Sequence, residues 1–175
     1  MTAQVMDRLL DNCPMFRGFT RPELEEIVGL VETKQYTPGQ TIIEEGQQFQ
    51  FIWILMQGKC QVVKNRPAGG EQELSVLDPG GVFGEMSFFN PAPHSATVRA
   101  TTDVEVFRLS RDKYDMLLRV GSLAAYKLAL NTVGVLSDRL RRMDEWACNR
   151  VETGVAAHHE EWLDFQSKLY SGWQF

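Results

Sequence analysis

Between Gly80 and Ala100 the chain places, in one short stretch, residue types that together could hold a small anionic molecule bearing hydroxyls. Gly84-Glu85 follows Val82-Phe83 and opens a short apolar turn of Met86, Phe88 and Phe89. An Asn90-Pro91-Ala92-Pro93 loop closes that turn, and Ser95-Ala96-Thr97-Val98 then has the composition of a strand. The order is therefore strand, tight turn, one-turn helix, loop, strand. Gly84 removes the Cβ where a ligand would approach the backbone. The amides just after it point out of a helix N-terminus, where an anion is favoured. Glu85, at the same N-terminus, is the acid poised to accept hydrogen bonds from a bound hydroxyl.

The elements that must position this stretch follow from periodicity. Residues 1–33 form a helical segment: Val5, Met6, Leu9 and Leu10 share one helical face before Asn12-Cys13-Pro14 stops it. Thr20-Arg21-Pro22-Glu23 is a capping box with proline in the first turn, followed by the apolar stripe Leu24, Ile27, Val28, Val31. From 34 to 110 the pattern turns extended. Turn signals recur at Pro38-Gly39, Glu45-Gly46, Gln57-Gly58, Pro67-Ala68-Gly69-Gly70 and Asp78-Pro79-Gly80-Gly81. Between them lie Phe51-Ile52-Trp53-Ile54-Leu55, Cys60-Gln61-Val62-Val63 and Leu74-Ser75-Val76-Leu77. Short strands at that spacing point to a β-sandwich or barrel.

Phe83, Gly84, Glu85, Met86, Ser87, Pro93, Ser95, Ala96, Thr97 and Val98 resemble, with no gap, the phosphate-binding cassette of the cyclic nucleotide-binding domain family, the type found in catabolite activator proteins and protein kinase A regulatory subunits. That family's pattern is Phe-Gly-Glu, an aliphatic residue, a small residue, a variable loop, then Pro-Arg-small-Ala-Thr-Val. The turn glycines of this chain are similar too, so the resemblance covers roughly residues 10–150. It implies a mainly β fold with flanking helices: a double-stranded β-helix (jelly roll) barrel with N-terminal helices and a long C-terminal helix. It also implies a cyclic nucleotide ligand, cAMP or cGMP, and no cofactor. Glu85 would accept the ribose 2′-hydroxyl. The phosphate would meet backbone amides near Met86, Ser87 and Ala96 and the Ser95 hydroxyl, beside Gly84. The base would lie against Val62 and Ser75, the best matches by offset from Gly58 and Glu85.

One position departs from the pattern: the family's arginine, which holds the cyclic phosphate, is His94 here. Arginine offers a permanent charge and a bidentate fork. Losing one charged hydrogen bond, worth roughly 1.5–3 kcal/mol, weakens binding by about 10- to 150-fold. Histidine, with an ordinary pKa of about 6.5, donates one bond when neutral and two when protonated, and a phosphate would favour the protonated form. On that expectation, affinity for cAMP rises as pH falls. Three outcomes stay open: weak binding of cAMP or cGMP, a different anionic ligand in the same pocket, or a ligand-independent dimeric scaffold.

Residues 111–150 are expected to form a short helix, 111–118, capped by Ser110, and a long one from about Leu123 to Ala147. In the family the short helix shifts when ligand binds. The long helix carries Leu123, Tyr126, Leu130, Val133, Leu136, Leu140, Met143 and Ala147, spaced mostly three and four apart. Such a seam suits a parallel homodimer through residues 120–150, or packing on the chain's own barrel. The tail, 151–175, is acidic and aromatic, with Trp162, Phe165, Leu169, Trp173 and Phe175 needing burial on the dimer or on a separate protein partner. It is too short for the helix-turn-helix of the catabolite-activator relatives, so no nucleic-acid partner is expected, and the net charge of −5 agrees.

Other classes are disfavoured. The histidines are His94, His158 and His159, with no frame for a nucleophile and none on the strands for a metal, so an enzyme is not expected. No run of about 18 apolar residues exists for a membrane span. Three widely spaced cysteines (Cys13, Cys60, Cys148) and an N-terminus without basic and apolar signal regions point to a cytoplasmic protein.

Overall fold

The computed structural model describes residues 3–67 and 69–152. Eight strands form two four-stranded antiparallel sheets. They are β1 (Glu32–Tyr36), β2 (Thr41–Ile43), β3 (Phe51–Gln57), β4 (Cys60–Asn65), β5 (Glu71–Leu77), β6 (Val82–Phe83), β7 (Thr97–Ala100) and β8 (Val104–Ser110). One sheet runs β1-β8-β3-β6 and the other β2-β7-β4-β5, which is the jelly-roll roof and floor expected from the spacing of the turns. Helices α1 (Ala3–Asn12) and α2 (Arg21–Val28) precede the strands. Helix α3 (Glu85–Phe89) interrupts them, and α4 (Arg111–Arg119) and α5 (Leu123–Glu152) follow.

The central strand β3 shows why the sheets hold. Its run Phe51-Ile52-Trp53-Ile54-Leu55 is apolar on both faces because both are covered. Ile52 and Ile54 enter a core with Met15, Phe16, Leu24, Ile27, Tyr114 and Leu128, which lie on or beside the helices. Trp53 and Leu55 enter a second core between the sheets with Ile43, Cys60, Phe83, Val98 and Val106. At the β3–β4 turn Gly58 is obligatory: with φ +86° a Cβ would lie 2.1 Å from the Asp103 carbonyl oxygen.

The capping box forms as its residues predict, with the Glu23 carboxylate accepting from the Thr20 amide at 2.7 Å. The same carboxylate pairs with Lys127 of α5 at 2.7 Å, and Asn131 donates to the Met15 and Arg17 carbonyls. These bonds, with buried Ala124, Ala125 and Leu128, fix the first turns of α5 beneath the barrel. Two compact units divide within α5, after Thr132. On the first, the stripe Leu123, Tyr126 and Leu130 is exposed, opposite the face that packs on the barrel core. On the second, Val133, Leu140 and Met143 are exposed as well, whereas Leu136 is only partly so. The aromatic tail beyond Glu152 and the side chain of Ala147 lie outside the described residues.

Candidate functional site

The site is assembled from β6, α3, the loop into β7, and the β2–β3 turn that pins this loop. Gly84 caps α3 in the left-handed region, with φ +77° and ψ 0°, and the Phe88 amide donates back to its carbonyl at 3.1 Å. The barrel itself gives a further reason for glycine here. A Cβ would meet the Trp53 ring at 2.5 Å and the Phe51 carbonyl at 2.9 Å. Close approach of the barrel's own tryptophan therefore demands the glycine, in addition to the turn conformation.

The far arm of the site is held by the Glu45-Gly46 turn. The Gly46 amide donates to the His94 carbonyl at 2.9 Å and the His94 amide donates to the Gln47 carbonyl at 2.8 Å. The Glu45 amide donates to the Thr97 hydroxyl at 3.0 Å. Glu85 and Ser87 on α3 are buried, Gly84 and Ala96 are half-buried, and Met86 and Ser95 are exposed. Val62 and Ser75 pair directly across β4 and β5, and Val62 also pairs with Val98 of β7. The floor expected for a base is thus one cross-strand pair continuous with the strand that leaves the cassette. At the other end of α3, the Phe88 carbonyl accepts from Gln50 at 3.1 Å and from Arg111 of α4 at 3.0 Å, tying the cassette helix to α4.

His94 is where the structure departs most from expectation. Its ring is only 5 % exposed, 4.5 Å centroid to centroid from Phe49 and 6.0 Å from Trp53. Burial pushes its pKa below the ordinary value, opposed by a hydrogen bond to the Phe49 backbone. Its Nε2, like Trp53 Nε1, has no partner among the described residues. Burial thus favours the neutral form of the ring. Folding holds His94 neutral while the unfolded chain still takes up a proton, so stability is full above about pH 6.5 and falls as pH drops through that value. The thermal midpoint of the wild-type protein should fall between about pH 7.5 and 5.5 by more than that of His94→Gln. Parallel pH profiles would show that His94 is not the group responsible.

Lys64 of β4 reaches the same loop: its ammonium donates to the Ser95 carbonyl at 2.9 Å and stands 4.0 Å from the Glu45 carboxylate. The thiols of Cys13 and Cys60 are buried and pushed up to about 11, so they stay protonated. Among the described residues there is no cluster of metal-ligating side chains, and no helix long and apolar enough to cross a membrane.

Comparison with known proteins gives a consistent result. The family model of the cyclic nucleotide-binding domain matches residues 33–120. The chain is 31% identical over 131 residues to the "Cyclic AMP receptor protein" of Thermus thermophilus, covering 75% of this chain and 59% of that one. It is also 31% identical over 115 residues to the "cAMP-dependent protein kinase regulatory subunit" of Colletotrichum orbiculare, covering 66% of this chain and 29% of that one. The crystal structure of the Thermus thermophilus catabolite activator protein superposes with a TM-score of 0.71 at 28% identity, over 79% of this chain and 63% of that chain. The chain thus spans less than two thirds of the length of these relatives.

Proposed function

The chain belongs to the cyclic nucleotide-binding domain family, and from that premise we propose that it is a non-catalytic regulatory sensor of a cyclic nucleotide, cAMP or cGMP. The observation that carries the reading is the placement of Glu85, 2 % exposed, at the start of α3, opposite a loop that enters β7 beside the Val62–Ser75 pair. In this reading Glu85 accepts the ribose 2′-hydroxyl. The phosphate meets the amides near Met86, Ser87 and Ala96 and the Ser95 hydroxyl, and the base rests on Val62 and Ser75. Binding would be transmitted through the Phe88 carbonyl to Gln50 and Arg111, and so to α4. The protein would work in the cytoplasm, with a separate protein reading the change.

His94 favours a second reading. A neutral, buried ring at the position of the family's arginine removes a charge from the phosphate's surroundings, which supports a ligand-independent dimeric scaffold. A thermal-shift panel of cAMP, cGMP and the linear monophosphates separates the two. Ligand at about 100 times its dissociation constant adds roughly 2.7 kcal/mol, a rise of several degrees. A rise with one cyclic nucleotide supports the sensor; a flat panel supports the scaffold.

The exposed stripe Leu123, Tyr126 and Leu130 supports a homodimer in either reading. Leu130 is 70 % exposed, and its burial against a second copy would contribute roughly 1.5–3 kcal/mol per chain. Leu130→Glu should therefore lower the mass measured by light scattering from two chains to one. An unchanged mass would place any dimer interface elsewhere.

A further inference from the structure

The helix-facing side of the β1-β8-β3-β6 sheet ends in a cleft that we propose binds a small organic cation, an aliphatic stem ending in an ammonium or guanidinium. Alternate residues of β3 and β8 run along that side in register, Ile52 opposite Leu109 and Ile54 opposite Phe107. All four are buried in the core shared with the helices. The cover ends where the same two lines reach Met56 and Glu105, both only half-buried. There the register of β3 shifts: Leu55 opposes Val106 and Gln57 opposes Glu105, so Met56 is the extra residue of a β-bulge. Met56 and Gln57 consequently line one cleft of about 440 Å³, together with Leu9 and Asn12 of α1, Pro79 and Glu105. A second cleft, of about 270 Å³, shares Gln57 and Glu105 and extends past Gln35 to Tyr36 and Asp103.

The lining divides into an apolar floor and a row of polar groups. Leu9 and Met56 form the floor, and the unbranched thioether adapts to an irregular stem. Glu105 stands between Gln35 and Gln57 in one cross-strand row and accepts from Gln35 Nε2 at 3.3 Å. A carboxylate has about four lone-pair sites, so that single long bond leaves it able to accept from a ligand. Asp103, two residues earlier, adds a second negative charge at the mouth of the neighbouring cleft. Among the described residues no Lys, Arg or His lines either cleft. Nearby cations are already paired, Arg108 with Glu32 at 2.8 Å and Lys59 with Asp78 at 3.0 Å. Charge complementarity therefore favours a cationic head at Glu105 with its stem along Leu9 and Met56, as long basic side chains lie on apolar surface. The volume falls within the roughly 300–1,000 Å³ of small-ligand clefts, which commits the site to a free amine or guanidine. No described residue from Gly84 to Ala96 lines it, so the inference is independent of what the cassette binds.

NMR spectra of the full chain, recorded on methionine methyls and glutamine side-chain amides during titration with n-pentylammonium, 1-pentanol and pentanoate, test this. The Met56 and Gln57 signals should shift saturably with the ammonium, bind the alcohol about fivefold more weakly, and stay unmoved by the carboxylate. Added salt should weaken the ammonium and leave the alcohol unchanged, since only the former loses a screened charge. Glu105→Gln keeps the side chain's shape and should bring the ammonium down to the affinity of the alcohol, with the thermal midpoint reporting on the fold. Should that variant fail to fold, the three probes and the salt series on the wild-type protein decide alone. Equal binding of ammonium and alcohol, a preference indifferent to salt, or one that survives Glu105→Gln would overturn the assignment of a cation. Shifts that do not saturate, or that fall on residues outside the two clefts, would overturn the site itself.

Discussion

Gly84→Ala should be among the most damaging single-methyl changes in the protein, lowering stability by about 2–5 kcal/mol. Two costs combine. A residue with a Cβ held at φ +77° pays roughly 1–2 kcal/mol for the left-handed conformation. The methyl would then sit 2.5 Å from the Trp53 ring, and that ring cannot retreat. Trp53 is 2 % exposed, stacked on Phe83 at 5.8 Å and edged by Phe49 and Phe51 at 5.5 Å each. Overpacking of this kind typically costs about 1–3 kcal/mol. Urea denaturation measures the sum, and Gly39→Ala separates the parts. Gly39 has φ +87° with nothing within 4 Å of its notional Cβ, so it carries the conformational cost alone. If Gly84→Ala costs no more than Gly39→Ala, the ring contact is not what demands glycine.

Glu85→Gln should weaken cyclic-nucleotide binding by about tenfold, and Glu85→Ala by about 100-fold, because a charged acceptor is exchanged first for a neutral one and then for none. The glutamine variant keeps the shape of a side chain that is 2 % exposed, and its thermal midpoint, measured alongside, separates a loss of affinity from a loss of fold. The 2′-deoxy analogue provides the control: it should bind the wild-type protein more weakly than the parent nucleotide and be nearly indifferent to Glu85→Gln. If the deoxy analogue loses as much affinity as the parent on mutation, Glu85 does not hold the 2′-hydroxyl.

These two residues illustrate how much local sequence can say. Phe83-Gly84-Glu85, the Pro93 and Ser95–Val98 matches, and the turn glycines are short-range patterns, and short-range geometry follows from them. The Gly84 turn, the one-turn helix, the Ser110 cap of α4 and the exposed stripe of α5 all appear where periodicity and capping put them. The family and its jelly roll could be named from the chain alone for the same reason.

Side-chain direction and charge state were a different matter, because they depend on residues remote in sequence. At His94 the motif leaves the charge state open, between a neutral ring and one protonated beside a phosphate. Phe49 and Trp53, contributed by the β2–β3 turn and β3, bury it, and that burial favours the neutral ring. At Gly84 the residue that would crowd a Cβ is Trp53 from the neighbouring strand, which no local pattern reveals. Lys64 carried no motif, and only the run of β4 alongside the residues before β7 brings its ammonium to Ser95. Backbone turns are set by the few residues that form them, so the sequence by itself determined the cassette's path and the fold that carries it. The burial and crowding of the pocket's groups come from residues joined by strand pairing and core packing, so only the tertiary structure decided them.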